Sequence, residues 1–316
     1  MDKRFELAGH IVELKAPESS PVWAACSKYA PFETCSQEFP VCSLEFAELK
    51  GTTKGELVYD VKEKEYPRLC FYRNGDVWTI EMAPESSLPI VAVMEASLGF
   101  EKARIKMLET APKTLLFALD NALMLLFAMS TAALDTLEIH SSVTMCDGKG
   151  YAFLGKSGTG KSTHSRLWKE FIPGSELLND DNPVIRIIDD KAYIYGSPWS
   201  GKTPCYRNLR APLGAVVRIS QSPDNKIHRL SFVEAYASMF SSCSAFRAVP
   251  GVSDGIHGTI VKLTTLVPMY LLDCRPDKEA AELCHSTVSM SWVRYNFPMM
   301  FFSPVPRPFS MREGKL

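Results

Sequence analysis

At 316 residues the chain exceeds the usual size of one domain, and a composition of 46% hydrophobic and 22% charged residues with net charge -1 excludes a disordered polyelectrolyte. The same balance, with no basic run or interleaved aromatic stripe, offers no electrostatic footprint for nucleic acid, whose binding is dominated by phosphate contacts; no nucleic-acid partner is expected. Nine cysteines, at positions 26, 35, 42, 70, 146, 205, 243, 274 and 284, form no C-x-x-C pair. Their spacing reads as neither a disulfide framework nor a zinc site, so reduced thiols and a cytoplasmic location are expected.

The opening segment MDKRFELAGHIVELK is interrupted by charges every few residues, and no signal peptide is expected from it. Residues 56–60 and 68–72 read as extended, and Arg73-Asn74-Gly75-Asp76 before residues 77–80 is a hairpin signal. Lys-Glu alternation at 62–65 reads as a solvated face. The predicted first unit is therefore a β-rich domain over residues 1–110. Residues 114–134 are apolar and long enough for a membrane span, but Asp120 and Asn121 stand near the middle, which predicts a buried helix packed on a sheet and no membrane partner.

Beyond that helix, residues 136–145, the Asp147-Gly148 pair and residues 151–154 predict an antiparallel hairpin running into a glycine-rich loop. A helix is predicted over 162–171, stopped by Pro173-Gly174, then a strand over 176–179 ending in Asp180-Asp181. A second hairpin is read over 184–195, further strands over 215–219 and 269–273, and helices over 232–240 and 278–287. The tail from Pro298 is proline-rich and irregular, and either mediates self-association as a homo-oligomer or packs back on the core. The second predicted unit, residues 111–316, is an α/β P-loop kinase-like domain with a mixed central sheet.

Residues Gly155, Lys156, Ser157, Gly158, Thr159, Gly160, Lys161 and Ser162 match G-x-x-x-x-G-K-[ST] at every fixed position. Glycines 155, 158 and 160 allow successive N–H groups to turn inward around phosphate oxygens at a helix N-terminus. In that chemistry Lys161 reaches the β- and γ-phosphates and the Ser162 hydroxyl ligates magnesium, so ATP and Mg2+ are the expected ligands. Asp180 and Asp181 end a strand one helix later, where a βαβ crossover brings them beside the loop. One of the two is expected to hold the metal with Ser162 and the other to accept the acceptor's proton, their order being open.

The run GKSGTGKSTHS over 155–165, with LLNDDNP over 177–183, resembles the motifs shared by HPr kinase/phosphorylase and ATP-dependent phosphoenolpyruvate carboxykinase. The resemblance covers about residues 135–285. It implies a phosphate-contact or acceptor-site role for His140, fifteen residues before Gly155 and placed in the first strand of the hairpin. By the same analogy Lys202, in SPWSGK, contacts the γ-phosphate with Arg207 nearby, and Thr163 belongs to the nucleotide-binding run. Thr163 stands where HPr kinase carries an acidic residue, and the phosphorolysis signature is missing, so HPr itself is not the expected acceptor. The implied fold is an HPr kinase/phosphoenolpyruvate carboxykinase-like core behind a β-rich unit. The implied activity is transfer of the γ-phosphate to a hydroxyl on a protein serine or a small molecule. Alternatives are a regulatory module that binds ATP without turnover and a carboxykinase-like enzyme.

Overall fold

A computed structural model describes residues 1–49, 51, 54–61, 67–201 and 203–296, with side chains to residue 289. The proline-rich tail, the 62–65 alternation and Lys202 therefore lie outside the described residues. The rest is a mixed α/β fold with two mixed sheets.

The first sheet holds β1 (Asp2–Leu7), β2 (His10–Lys15), β3 (Cys42–Phe46), β4 (Glu56–Asp60), β5 (Arg68–Asn74), β6 (Val77–Ala83), β7 (Ala92–Ser97) and β8 (Lys102–Met107), with the short helix α1 (Val22–Ala25) between β2 and β3. Their order is β1-β2-β3-β8-β7-β6-β5-β4; β3 pairs parallel with β2 and β8, and the other neighbours are antiparallel. Gly75 and Asp76 make the turn of the predicted hairpin, with Asn74 opposite Val77. Strict alternation of buried and half-buried residues along β7 gives this sheet one apolar face.

That face is covered by α2 (Pro112–Thr131), which begins with Pro112 in the first turn, where its missing N–H is harmless. The helix is long and apolar enough to cross a membrane, yet 61% of its apolar window is buried within the protein. Asp120 explains the choice: its carboxylate accepts from Tyr29 Oη at 2.8 Å and is paired with Lys28, an arrangement that satisfies a charge in a buried place. The opposite flank of α2 touches the second sheet, so residues of both sheets share one core.

The second sheet contains β9 (Thr136–Glu138), β10 (Ser141–Cys146), β11 (Lys149–Leu154), β12 (Glu176–Asp181), β13 (Val184–Ile188), β14 (Lys191–Tyr195), β15 (Arg210–Gln221), β16 (Lys226–Arg229) and β17 (Met269–Cys274). Its helices are α3 (Lys161–Phe171), α4 (Phe232–Ser242), α5 (Pro250–Leu266) and α6 (Lys278–Asn296). The path runs β12-β10-β11-β15-β14-β13-β9, with β17 also on β15 and β16 on β17. Strand β15 pairs parallel with β11 and β17, while its first residues pair antiparallel with β14.

One expectation needs correction here, and one helix was not anticipated. The 136–145 run is not one strand: β9 pairs with β13 and β10 pairs with β11 and β12, so the chain must leave one part of the sheet and re-enter another, and Ile139-His140 makes that step. The βαβ crossover is present as β11-α3-β12, with β10 lying between the two strands and antiparallel to both. Helix α5 was not anticipated, because glycines 251, 255 and 258 lower helix propensity. Gly255 explains its composition: a Cβ there would come within 2.4 Å of the Ala132 carbonyl oxygen, so the helix can approach the end of α2 only without a side chain. The connector before α5 also sends Phe246 back onto the first sheet, where it stacks on Phe71 at 4.1 Å and meets Trp78 edge-on.

Candidate functional site

Strand β11 is buried from Gly150 to Leu154 and delivers the chain into the glycine-rich loop, after which α3 begins at Lys161. Gly155 has φ 153°, and a Cβ on it would meet Thr159 Oγ1 at 2.4 Å and the Ile219 carbonyl at 3.2 Å. Gly158 and Gly160 have φ of 80° and 102°, with open space where side chains would project. The loop is thus a cradle that side chains at these positions would strain or fill. Its shape is pinned from inside by Thr159, whose hydroxyl donates to the Lys156 carbonyl at 2.8 Å, and from β15 by Gln221 Nε2, which donates to the Gly158 carbonyl at 3.2 Å. Lys156, Ser157 and Gly158 are exposed along its rim, and Thr163 is half-buried in the first turn of α3.

The Lys161 side chain folds back over the loop and donates to the carbonyls of Gly155 at 3.0 Å and Lys156 at 3.3 Å. Burial lowers the pKa of its ammonium group, opposed by the charges of Asp181 and Asp180. One residue on, Ser162 Oγ donates to Asp180 Oδ1 at 2.8 Å. His140 Nε2 stands 3.4 Å from Asp181 Oδ1. The fold therefore brings Lys161, Ser162, Asp180, Asp181 and His140 together, through the β11-α3-β12 crossover with β10 between its two strands.

Local structure fixes these positions. The β10 and β12 backbones pair Ser142 with Asp180 and Ser141 with Asp181. Ser142 Oγ also shares a hydrogen bond of 2.6 Å with Ser165 Oγ, tying β10 to α3 inside the core. Asp181 bridges to Ser200, and Gly201 N donates to the Asp180 carbonyl at 2.6 Å, so the SPWSG segment closes over the aspartate pair. That segment is itself held by Asn179 Nδ2, which donates to Ser197 Oγ at 3.1 Å and the Trp199 carbonyl at 3.2 Å. Trp199 Nε1 in turn donates to Tyr29 Oη at 2.9 Å, linking the segment to the first sheet's side of the molecule.

Electrostatics differ between the two aspartates' neighbours. Burial raises the pKa of Asp181, with His140, Lys161 and Lys28 pulling it down and Asp180 pushing it further up. Burial lowers that of His140, reinforced by Lys161 and opposed by both aspartates. Behind them Glu138 is buried with neither carboxylate oxygen hydrogen-bonded among the described residues, and burial together with the Asp181 charge pushes its pKa far up.

Arg207, expected near the phosphates, instead donates to the Leu177 carbonyl at 2.7 Å and pairs with Glu176 at 2.8 Å, toward the opposite end of β12. His140 is in the connector between β9 and β10, not in a hairpin strand, and its backbone N–H donates to the Ser242 carbonyl of α4 at 2.7 Å. Sequence reasoning missed Lys28, Asn179 and Ser200. Nothing local marks Lys28, which reaches the vicinity of Asp181 only through the packing of α2; Asn179 was visible as the residue preceding the aspartate pair.

No protein-family model and no curated protein matches the chain. Among solved structures, the Hpr(Ser) kinase/phosphatase from Coxiella burnetii is similar at 11% identity over 50% of this chain and 92% of that one, with a TM-score of 0.32. A likeness of that size says nothing about the chemistry of the site.

Proposed function

We propose that the chain is an ATP-dependent phosphotransferase whose glycine-rich loop holds the nucleotide phosphates and whose aspartate pair divides the work of metal binding and proton acceptance. The observation that carries the reading is the pairing of each aspartate with a different partner: Asp180 with the Ser162 hydroxyl at 2.8 Å and Asp181 with His140 at 3.4 Å. A hydroxyl and a carboxylate sharing one proton at the mouth of an open glycine cradle form a hard oxygen donor set suited to magnesium. Ser162 and Asp180 would hold that ion, which when bound neutralises charge on the phosphates. The loop N–H groups and Lys161 bind and orient the phosphates; to do so Lys161 exchanges its loop carbonyls for phosphate oxygens. The acceptor hydroxyl loses its proton to Asp181, whose burial-raised pKa makes it a better base than an exposed aspartate. Its oxygen bonds to the γ-phosphorus as the bond from that phosphorus to the bridging oxygen breaks, and ADP departs. His140, kept neutral by burial, holds the Asp181 carboxylate in place.

The test is incubation of the full chain with magnesium and γ-labelled ATP, with and without cell extract, scoring ADP and labelled acceptor. Uptake of nucleotide with no ADP released would assign a binding module instead, and no uptake of any nucleoside triphosphate would end the reading altogether.

A further inference from the structure

Cysteine, aspartate and histidine side chains converge at the far end of the β10–β11 hairpin, a cluster that phosphoryl transfer does not use. Cys146 closes β10, Asp147 opens the turn with φ 50°, and His285 reaches them from α6. One ligating atom from each lies within 4.8 Å of the other two, and Cys146 Sγ is 3.9 Å from His285 Nε2. A tetrahedral zinc with ordinary Zn–S and Zn–N bonds separates those two atoms by about 3.6 Å, so only a small adjustment is needed. Asp147 is exposed and can swing its carboxylate inward.

The surroundings support a ligand. The His285 ring is held edge-on against buried Trp168 at 5.3 Å, which fixes its direction. Ser175 is 8% exposed, has no partner for its hydroxyl among the described residues, and lies beside the Cys146 thiol, where it is ready to donate to a thiolate. One sulfur, one imidazole nitrogen and one carboxylate oxygen favour zinc over the hard cations magnesium and calcium. We propose that Cys146, Asp147 and His285 bind one zinc ion, with water in the fourth position, and that the ion fastens α6 to the hairpin turn. Binding displaces the Cys146 proton to solvent and leaves the oxidation state of every group unchanged.

The experiment uses the untagged full chain, reduced, stripped with chelator and titrated with cobalt(II) as an optical stand-in, followed by zinc. The expected result is a thiolate-to-cobalt charge-transfer absorption that zinc abolishes at about one equivalent per chain and that is absent in Cys146→Ser. Asp147→Asn alters only an exposed turn side chain and should weaken zinc binding by about 10-fold or more, with the far-ultraviolet circular dichroism unchanged. A chain that gives no thiolate band, an identical band in Cys146→Ser, or undiminished zinc affinity in Asp147→Asn would each overturn the proposal.

Discussion

The two ends of the β10–β11 hairpin share the same strands yet present opposite chemistry. At one end the strands open into a glycine cradle faced by hydroxyl and carboxylate oxygens, a hard and partly exposed setting. At the other a two-residue turn gathers sulfur, nitrogen and one carboxylate against aromatic packing. Between them runs α3, with its first turn at the cradle and Trp168 against His285. The difference teaches that strand pairing fixes positions while loop composition selects chemistry: open glycines make room for a phosphate, and a tight Asp-Gly turn brings adjacent side chains to one point.

If the ends are independent, damage at the cradle should be severe and specific. Lys161→Ala should abolish nucleotide binding by calorimetry and lower ADP release on the order of 1,000-fold, whereas measurable transfer at the wild-type rate would break the assignment. Asp181→Asn should keep nucleotide affinity but reduce kcat on the order of 100- to 1,000-fold. Because burial raises the Asp181 pKa above the ordinary 3.8, the acid limb of kcat/KM should lie above that value and vanish in Asp181→Asn.

A third measurement probes the strip joining the ends. His164 is pushed down to about 4 by burial, and its Nε2 accepts from Trp168 Nε1 at 3.0 Å, so the folded chain demands the neutral ring. His10, also at about 4 and bonded to Thr136 Oγ1 at 2.9 Å, makes the same demand between the two sheets. Because the folded values are depressed, the stability they contribute is present above pH 6.5 and is lost as pH falls towards 4, at about 3 kcal/mol for each. Denaturant melts at pH 7 and pH 4.5 should show the loss, and His10→Gln should remove part of it. The smallest effect sharpens the comparison most: Asp147→Asn should change ADP release by less than about twofold, since additivity holds for distant sites.

How legible all this was in the sequence depends on range. The cradle and the aspartate pair were readable because their residues are neighbours in a spacing that phosphate geometry requires, and Gly75-Asp76 was readable as a turn for the same local reason. His140 was placed in a strand because an apolar run carries no mark of where a chain changes partners in a sheet. The parallel pairing of β3 with β2 and β8 is equally silent, being decided by apolar faces far apart in the chain. Helix α5 was hidden by the glycines that permit its close approach. Cys146 and His285, 139 residues apart, share no spacing rule, and a search for paired cysteines passes over them.

The reach of Phe246 into the first sheet has a consequence for biogenesis. All eight strands of that sheet leave the ribosome by residue 107, but the rings of Phe71 and Trp78 wait for a partner synthesised well over a hundred residues later. During that interval Phe71 and Trp78 have only their aromatic neighbours within the first sheet, Tyr59 and Phe100, and the surface that Phe246 later covers stays open. Folding factors that shield such surfaces should therefore raise the yield of full-length protein, and ribosome-stalled chains ending before residue 246 should be the ones that such factors hold longest.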